Sequence, residues 1–230
     1  MDLAKAFVDF AQLGANWVLW TLIALSILSL GVMIDRFVWF RGRDTDTERF
    51  KRELTGAFQR DELDRITTRY KDDPAIPIQV ALRGLAERER GAAAVAEAMH
   101  SERARWRRTA DRNLIILGTL GNNVPFVGLF GTVLGVMNAF LHLSVKTADA
   151  EKKTLDTIAE ALSATAFGLL VALPAVAAFN YFTRRLRVVM TGADECAHEV
   201  LALLYARAHA AAPAVPAAGP SDEEKANGGD

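Results

Sequence analysis

Two threonines and one glutamate carry the chemistry that this sequence suggests. Thr132 and Thr165 lie in long stretches without Asp, Glu, Lys or Arg, and Glu160 directly precedes the stretch that contains Thr165. A hydroxyl group both donates and accepts hydrogen bonds, so two facing threonines would line a polar path. An ionisable residue at an apolar helix is a functional hypothesis by default. These three residues are therefore the candidates for a polar path.

Simpler roles stay open for the same residues. Each threonine hydroxyl could bond the carbonyl four residues earlier in its own helix, and Glu160 could be a solvated acid at a helix start. Asp35 and Arg36, at the end of another apolar stretch, are interpreted as an interfacial pair. No nucleophile–base set, phosphate-binding loop or metal-ligand spacing occurs in the sequence, so neither an enzyme nor a metal site is predicted.

The elements that position these residues are three apolar helices. Charged side chains are absent from residues 10–34, 113–145 and 161–183. Each stretch exceeds the roughly 20 residues that a helix needs to cross the hydrocarbon core of a bilayer. The net charge of the chain is −1, which argues against nucleic-acid binding. We therefore predict an all-α membrane protein with three transmembrane helices and long cytoplasmic helical extensions.

Arginine placement predicts the orientation of these helices, with the N-terminus outside and the C-terminus inside. Arginines follow the first and third stretches and precede the second, so this topology puts all of them on the cytoplasmic side. The predicted segments are a short periplasmic N-terminus (1–16), TM1 (17–40), a cytoplasmic helical insert (41–112), TM2 (113–143), a periplasmic loop (144–156), TM3 (157–183), a cytoplasmic helix (184–210) and a disordered tail (211–230). Candidate anchors to lipid headgroups or the cytoplasmic surface are Arg105, Arg107, Arg108, Arg112, Arg184 and Arg185; their alternative role is only to enforce topology and solubility.

Small residues recur in TM2 and TM3 at alternating spacings of three and four, which follow one side of a helix. Both threonines fall on these rows, and small residues let membrane helices approach closely. No carboxylate, histidine or lysine lies near the middle of a span, so a titrating group for proton movement must come from another chain. The predicted packing positions, with one proline in each helix, are Gly118, Gly121, Pro125, Gly128, Gly135, Ala161, Gly168, Ala172 and Pro174.

Two segments resemble the signatures of a known family. Residues 124–140 read VPFVGLFGTVLGVMNAF and resemble the second-span signature of the MotA/TolQ/ExbB proton-channel family, in its ExbB/TolQ branch. Residues 158–180 read IAEALSATAFGLLVALPAVAAFN and resemble the third-span signature of that family. One departure is the pair Asn122 and Asn123 before Pro125, where small residues are more usual.

The resemblance implies partners, a site and a function. Family subunits form a homopentamer whose second and third spans line a pore, and a dimer of single-span ExbD/TolR-type subunits inside it supplies the proton-binding aspartates. The family's pore threonines correspond to Thr132 and Thr165, and its third-span glutamate to Glu160. The expected function is the channel-forming stator subunit of a proton-driven motor in the bacterial inner membrane, with protons as the transported ion and no cofactor.

The branch within the family stays open. The first expectation is an ExbB-like subunit that energises TonB-dependent outer-membrane transport, with a TonB-type or other periplasm-spanning effector. The alternatives are a TolQ-like subunit for envelope integrity and a subunit of a gliding-motility motor. A rival of another class is a non-conducting membrane scaffold, because rows of small residues would serve a scaffold equally well.

Overall fold

The chain folds into helices joined by short connections. The computed structural model describes residues 16–43, 47–142 and 148–211, and within these ranges there is no strand. The predicted tail lies outside the described residues except for Ala211, and so does the predicted periplasmic N-terminus except for Asn16. The helices are α1 (Asn16–Phe40), α2 (Thr47–Arg60), α3 (Leu63–Tyr70), α4 (Ile76–Leu85), α5 (Ala92–Asp111), α6 (Leu114–His142) and α7 (Ala148–Ala211), with a 3₁₀ turn at Arg88–Arg90.

Three of these helical segments are long and apolar enough to cross a membrane. They are α1, the segment formed by α5 and α6, and α7. Leucine, alanine and valine are the commonest residues of the apolar stretches. In a bilayer a helix is the simplest structure that satisfies every backbone polar group internally. The predicted all-α fold with three membrane-spanning helices is therefore confirmed. Its orientation, with the N-terminus outside, stays a prediction.

The third span is part of a single helix of 64 residues. It includes residues 148–156, which the sequence analysis assigned to a periplasmic loop; they are helical, and their place on the periplasmic side stays a prediction. The residues Ala148 to Asp156 contain no glycine or proline, and Asp149 and Glu151 in the first turn interact favourably with the helix dipole. The helix also continues without a break beyond Thr183, so the predicted TM3 and the helix over 184–210 form one element.

The second half of α7 packs against three helices of the insert, α2, α4 and α5. A buried cluster joins residues of α2, α4 and α5 to the apolar side of α7. This arrangement buries the apolar side of the second half of α7. Residues at the centre of the cluster include Phe50, Leu54, Ile76, Leu85, Val95, Val189, Ala193, Cys196 and Val200.

Two ion pairs lie at the edges of the contact between α7 and the insert. Arg103 on α5 bonds Asp194 on α7, with 2.7 Å between Nη2 and Oδ2. Lys51 on α2 lies 2.9 Å from Glu195. Hydrogen bonds to Glu195 and Glu48 raise the pKa of Lys51 above its ordinary value, so the ammonium stays charged at neutral pH. Motion of α7 is therefore connected directly to the insert.

Gly84 marks a close contact between α4 and α5. A Cβ atom added to Gly84 would lie 2.5 Å from Cγ of Met99 and 3.1 Å from Cγ1 of Val95. We expect Gly84→Val to lower the free energy of unfolding by about 1–3 kcal/mol, because both side chains must move. Gly56→Ala should raise it by roughly 0.5–1 kcal/mol, since the nearest atom, on Arg60, is 3.8 Å away. Thermal unfolding in detergent measures both, and a Gly84→Val protein as stable as wild type would contradict this contact.

Candidate functional site

Helices α6 and α7 approach each other closely at two glycines. A Cβ atom added to Gly128 would lie 2.8 Å from the carbonyl oxygen of Ala164 and 3.0 Å from Cα of Thr165. A Cβ atom added to Gly168 would lie 3.1 Å from the carbonyl oxygen of Val124. The neighbouring atoms belong to the backbone, which cannot rotate away as a side chain can. Only residues without a Cβ atom fit this crossing.

The same contact extends along both helices. Gly118 faces the ring of Phe179, with 3.1 Å from an added Cβ atom to Cε2, and Gly121 faces Val176. Gly135 faces Ala161, which is fully buried. Pairs of residues that face each other run in opposite directions along the two helices, so α6 and α7 are antiparallel. Small residues thus allow one continuous close contact between the second and third spans.

The remaining predicted packing positions differ in burial. Ala172 is buried at 4 % exposure and belongs to the apolar cluster shared with α1 and α6. Pro125 is half-buried, and Pro174 is exposed on the chain. Pro174 therefore lies off the α6–α7 contact in the single chain, although it belongs to the same stretch of α7.

The two threonines have different hydrogen bonding. Thr132 donates to the carbonyl oxygen of Leu129 at 2.6 Å, so its hydroxyl is satisfied within its own helix. The Oγ1 atom of Thr165 is buried and has no hydrogen-bond partner in the described part of the chain. Thr132 therefore has the simpler role of bonding a carbonyl of its own helix, three residues earlier. Thr165 makes no such bond.

These threonines lie at similar depth along the helix pair. A Cβ atom added to Gly131 would lie 3.0 Å from Cβ of Ala164. Thr132 follows Gly131 on α6, and Thr165 follows Ala164 on α7, so the two are within about one turn of each other, roughly 5 Å. Glu160 is half-exposed and lies five residues before Thr165 on α7. The structure thus brings the two threonines to one level and places the glutamate more than a turn away.

Three of the predicted arginine anchors have polar partners within the chain. Arg105 forms an ion pair with Glu102, and Arg107 lies 3.8 Å from Asp111. Arg185 donates to the hydroxyl of Tyr181 at 2.8 Å. The anchors whose side chains are exposed to solvent at the ends of the apolar helices include Arg108, Arg112 and Arg184.

Sequence reasoning missed the burial of Arg36. Asp35 and Arg36 do form the predicted pair, with 2.7 Å between Oδ2 and Nη2. Arg36 is only 5 % exposed, however, so it lies inside the protein and not at a wet interface. The available signal was an arginine within an apolar helix that also carries Trp39, but its partners on α5 are distant in the sequence.

Among the described residues, neither a metal-ligand cluster nor a reactive cysteine is present. No set of three or more His, Cys, Asp or Glu side chains in these ranges could hold a metal ion. Cys196 is fully buried, and burial raises the pKa of its thiol to about 11. The thiol is therefore protonated at physiological pH and is a poor nucleophile.

The fold and the closely packed helix pair define a multi-pass helical membrane protein. The model of the MotA/TolQ/ExbB proton channel family matches residues 73–195, more than half of the chain. This range includes α6 and most of α7, together with both segments that carried the resemblance. The chain therefore belongs to the MotA/TolQ/ExbB proton channel family.

Relatives from both named branches are similar to this chain. The Tol-Pal system protein TolQ of Pseudomonas aeruginosa is 41% identical over 119 residues, which cover 50% of each chain. The biopolymer transport protein ExbB of Pseudomonas putida is 40% identical over 89 residues, or 39% of this chain and 27% of that protein. A putative biopolymer transport protein, ExbB-like 2 of Helicobacter pylori, is 34% identical over 101 residues, or 44% of this chain and 67% of that protein. The chain thus spans about half the length of TolQ, and the ExbB/TolQ branch is confirmed.

Proposed function

We propose that this chain is the channel-forming stator subunit of a proton-driven motor in the bacterial inner membrane. The observation that carries the proposal is the buried, unpaired hydroxyl of Thr165 at the close contact of α6 and α7. Leaving a buried polar group unsatisfied costs about 1–3 kcal/mol. The unpaired Thr165 hydroxyl can bond a water molecule or a polar group of a partner during proton transfer, which would account for its presence at this contact.

The titrating group of this motor comes from a partner. Within the described parts of α6 and α7, Glu160 is the nearest acid to Thr165, and it lies toward one end of the span. We infer a homopentamer around a dimer of ExbD/TolR-type single-span subunits, whose membrane carboxylates take up and release the proton. Thr132 and Thr165 then line the path, and Glu160 lies near its periplasmic end. One charge crossing 100 mV releases about 2.3 kcal/mol, so several protons can drive movement of the partner.

The ExbB type, which energises TonB-dependent transport, is the first candidate within this class. The TolQ type is the second, and it is supported by the longer similarity to TolQ, over 119 residues against 89 for the ExbB of Pseudomonas putida. A gliding-motility motor is a further possibility for the same subunit. The periplasmic part of the partner decides among them, because it determines which effector, such as a TonB-type protein, receives the work.

Reconstitution with a candidate partner tests the proposal against a non-conducting scaffold. The chain is placed in vesicles with or without an ExbD/TolR-type subunit, and an internal pH-sensitive dye reports proton entry under an applied potential. We expect flux only when the partner is present, and none when the partner's membrane aspartate is changed to asparagine. Native mass spectrometry should find five copies of the 25.1 kDa chain with two partner copies. A stable complex without flux would favour the scaffold.

A further inference from the structure

The guanidinium of Arg36 is buried where α1 meets the end of α5. Its Nε and Nη2 atoms donate to Oδ2 of Asp35 at 3.0 and 2.7 Å. Its Nη1 atom donates to the carbonyl oxygens of Ala110 and Thr109 at 3.3 and 3.5 Å. The same Oδ2 atom of Asp35 accepts a hydrogen bond from Nδ2 of Asn113 at 2.8 Å. One side chain of α1 thus reaches the end of α5, and its ion-pair partner reaches the start of α6.

These contacts converge on the only interruption between the insert and the second span. Helix α5 ends at Asp111 and α6 begins at Leu114, so Arg112 and Asn113 form a joint of two residues. Arg36 bonds the carbonyls that directly precede this joint. Carbonyl groups at the end of a helix carry partial negative charge and lack partners within it, so a cation there is stabilising.

Charge and burial explain why this arrangement is specific. A buried arginine is tolerated only when its charge is paired and its donors are bonded. Here Asp35 supplies the charge, the two carbonyls accept from Nη1, and Arg36 lies over the ring of Trp39 at 5.2 Å. An uninterrupted helix through residues 109–114 would use the carbonyls of Thr109 and Ala110 for its own hydrogen bonds. The guanidinium therefore competes directly with continuation of the helix.

We propose that Arg36, with Asp35 and Asn113, is a positioning cluster that holds the α5–α6 joint open and fixes the angle between the insert and the second span. Through this cluster α1 serves as the support against which α6 is held. The importance of that angle for proton transfer rests on the proposed channel function. The role of the cluster in holding the joint does not depend on that function.

A distance measurement across the joint tests the cluster. Spin labels on Ser101→Cys in α5 and Thr119→Cys in α6 flank the joint, at exposed positions. Cys196 is buried and remains unlabelled. The chain is studied at full length in lipid nanodiscs, diluted with unlabelled chain so that only distances within one chain are read. Sharp kinks exceed about 20°, and a bend of that size toward or away from the labelled face changes the distance between the labels by about 2–3 Å.

The variants separate positioning from stability. Arg36→Gln should broaden or shift the distance distribution, and Arg36→Lys, which keeps the charge, should restore much of it. Arg41→Gln is the matched control. Arg41 is exposed, and its substitution removes the same charge five residues further along the chain. Its distribution should equal that of wild type. A wild-type distribution for Arg36→Gln would overturn the proposal, even if its melting temperature falls.

Two further readouts keep the test decisive. If Arg36→Gln does not fold, Asp35→Asn is used, which weakens the ion pair and keeps an acceptor. An unchanged distance distribution in Asp35→Asn would also overturn the proposal.

In vesicles with the partner, Arg36→Gln should lower proton flux at least tenfold relative to Arg41→Gln. If the wild-type chain conducts no protons, the proposed function fails, and the distance measurement still decides whether the cluster holds the joint.

Discussion

Replacing Gly128 by valine should abolish the close contact of α6 and α7, and with it any proton flux through the assembly. The added Cβ atom alone would lie 2.8 Å from the carbonyl oxygen of Ala164 and 3.0 Å from Cα of Thr165. Overpacking against movable side chains costs about 1–3 kcal/mol. Here backbone atoms must move, so the two helices must separate along their length and the cost should exceed that range.

Thermal unfolding in detergent and native mass spectrometry measure this effect. We expect Gly128→Val to melt well below wild type and to assemble poorly. Gly31→Val is the matched control, because Gly31 lies in a membrane-spanning helix and an added Cβ atom there would meet nothing within 4 Å. It should melt and assemble as wild type does. A Gly128→Val protein with normal stability and assembly would show that α6 and α7 do not approach as described.

Thr165→Val should lower partner-dependent proton flux at least tenfold while leaving the fold intact. Valine has nearly the shape of threonine and lacks the hydroxyl, whose oxygen is buried without a partner in the described structure. Removing this group costs no internal hydrogen bond, so stability should be unchanged or slightly higher. A tenfold loss of flux corresponds to about 1.4 kcal/mol of barrier, a reasonable value for one hydrogen bond.

Vesicle flux assays and thermal unfolding, run on the same preparations, separate these two effects. Thr165→Ser should retain most of the flux because it keeps the hydroxyl. Ser163→Ala is the control on the same helix, since Ser163 is exposed and its hydroxyl already donates to the carbonyl of Ala159 at 2.9 Å. Normal flux in Thr165→Val would remove Thr165 from the proton path and favour the scaffold.

Much of the fold could be predicted because its causes are local. Stretches without charge that are long enough to cross a bilayer identify membrane helices from composition alone. Breaks at proline and glycine are local as well: α4 begins at Ile76, shortly after Pro74, and α5 begins at Ala92, directly after Gly91. Residues 148–156 were assigned to a loop because they are polar, although Ala, Glu and Lys favour helix strongly, and the structure has them in α7.

The candidate site was predicted only in part. Rows of small residues at spacings of three and four indicated that TM2 and TM3 pack closely, since this periodicity is a property of each helix by itself. Which residues face one another depends on the register between two separate helices. The contact of Gly128 with Ala164, and the burial of the Thr165 hydroxyl beside it, could not be predicted from either segment alone.

The sequence by itself determined the three spans, the rows of small residues and the family resemblance, because each depends on residue types at fixed spacing within one segment. Only the tertiary structure decided that Thr132 is satisfied and Thr165 is not, and that Arg36 is buried against Ala110. Burial and hydrogen-bond partners are properties of neighbours in space. Arg36, which the sequence indicated as one half of an interfacial pair with Asp35, is therefore buried in the fold, where α1 meets the end of α5.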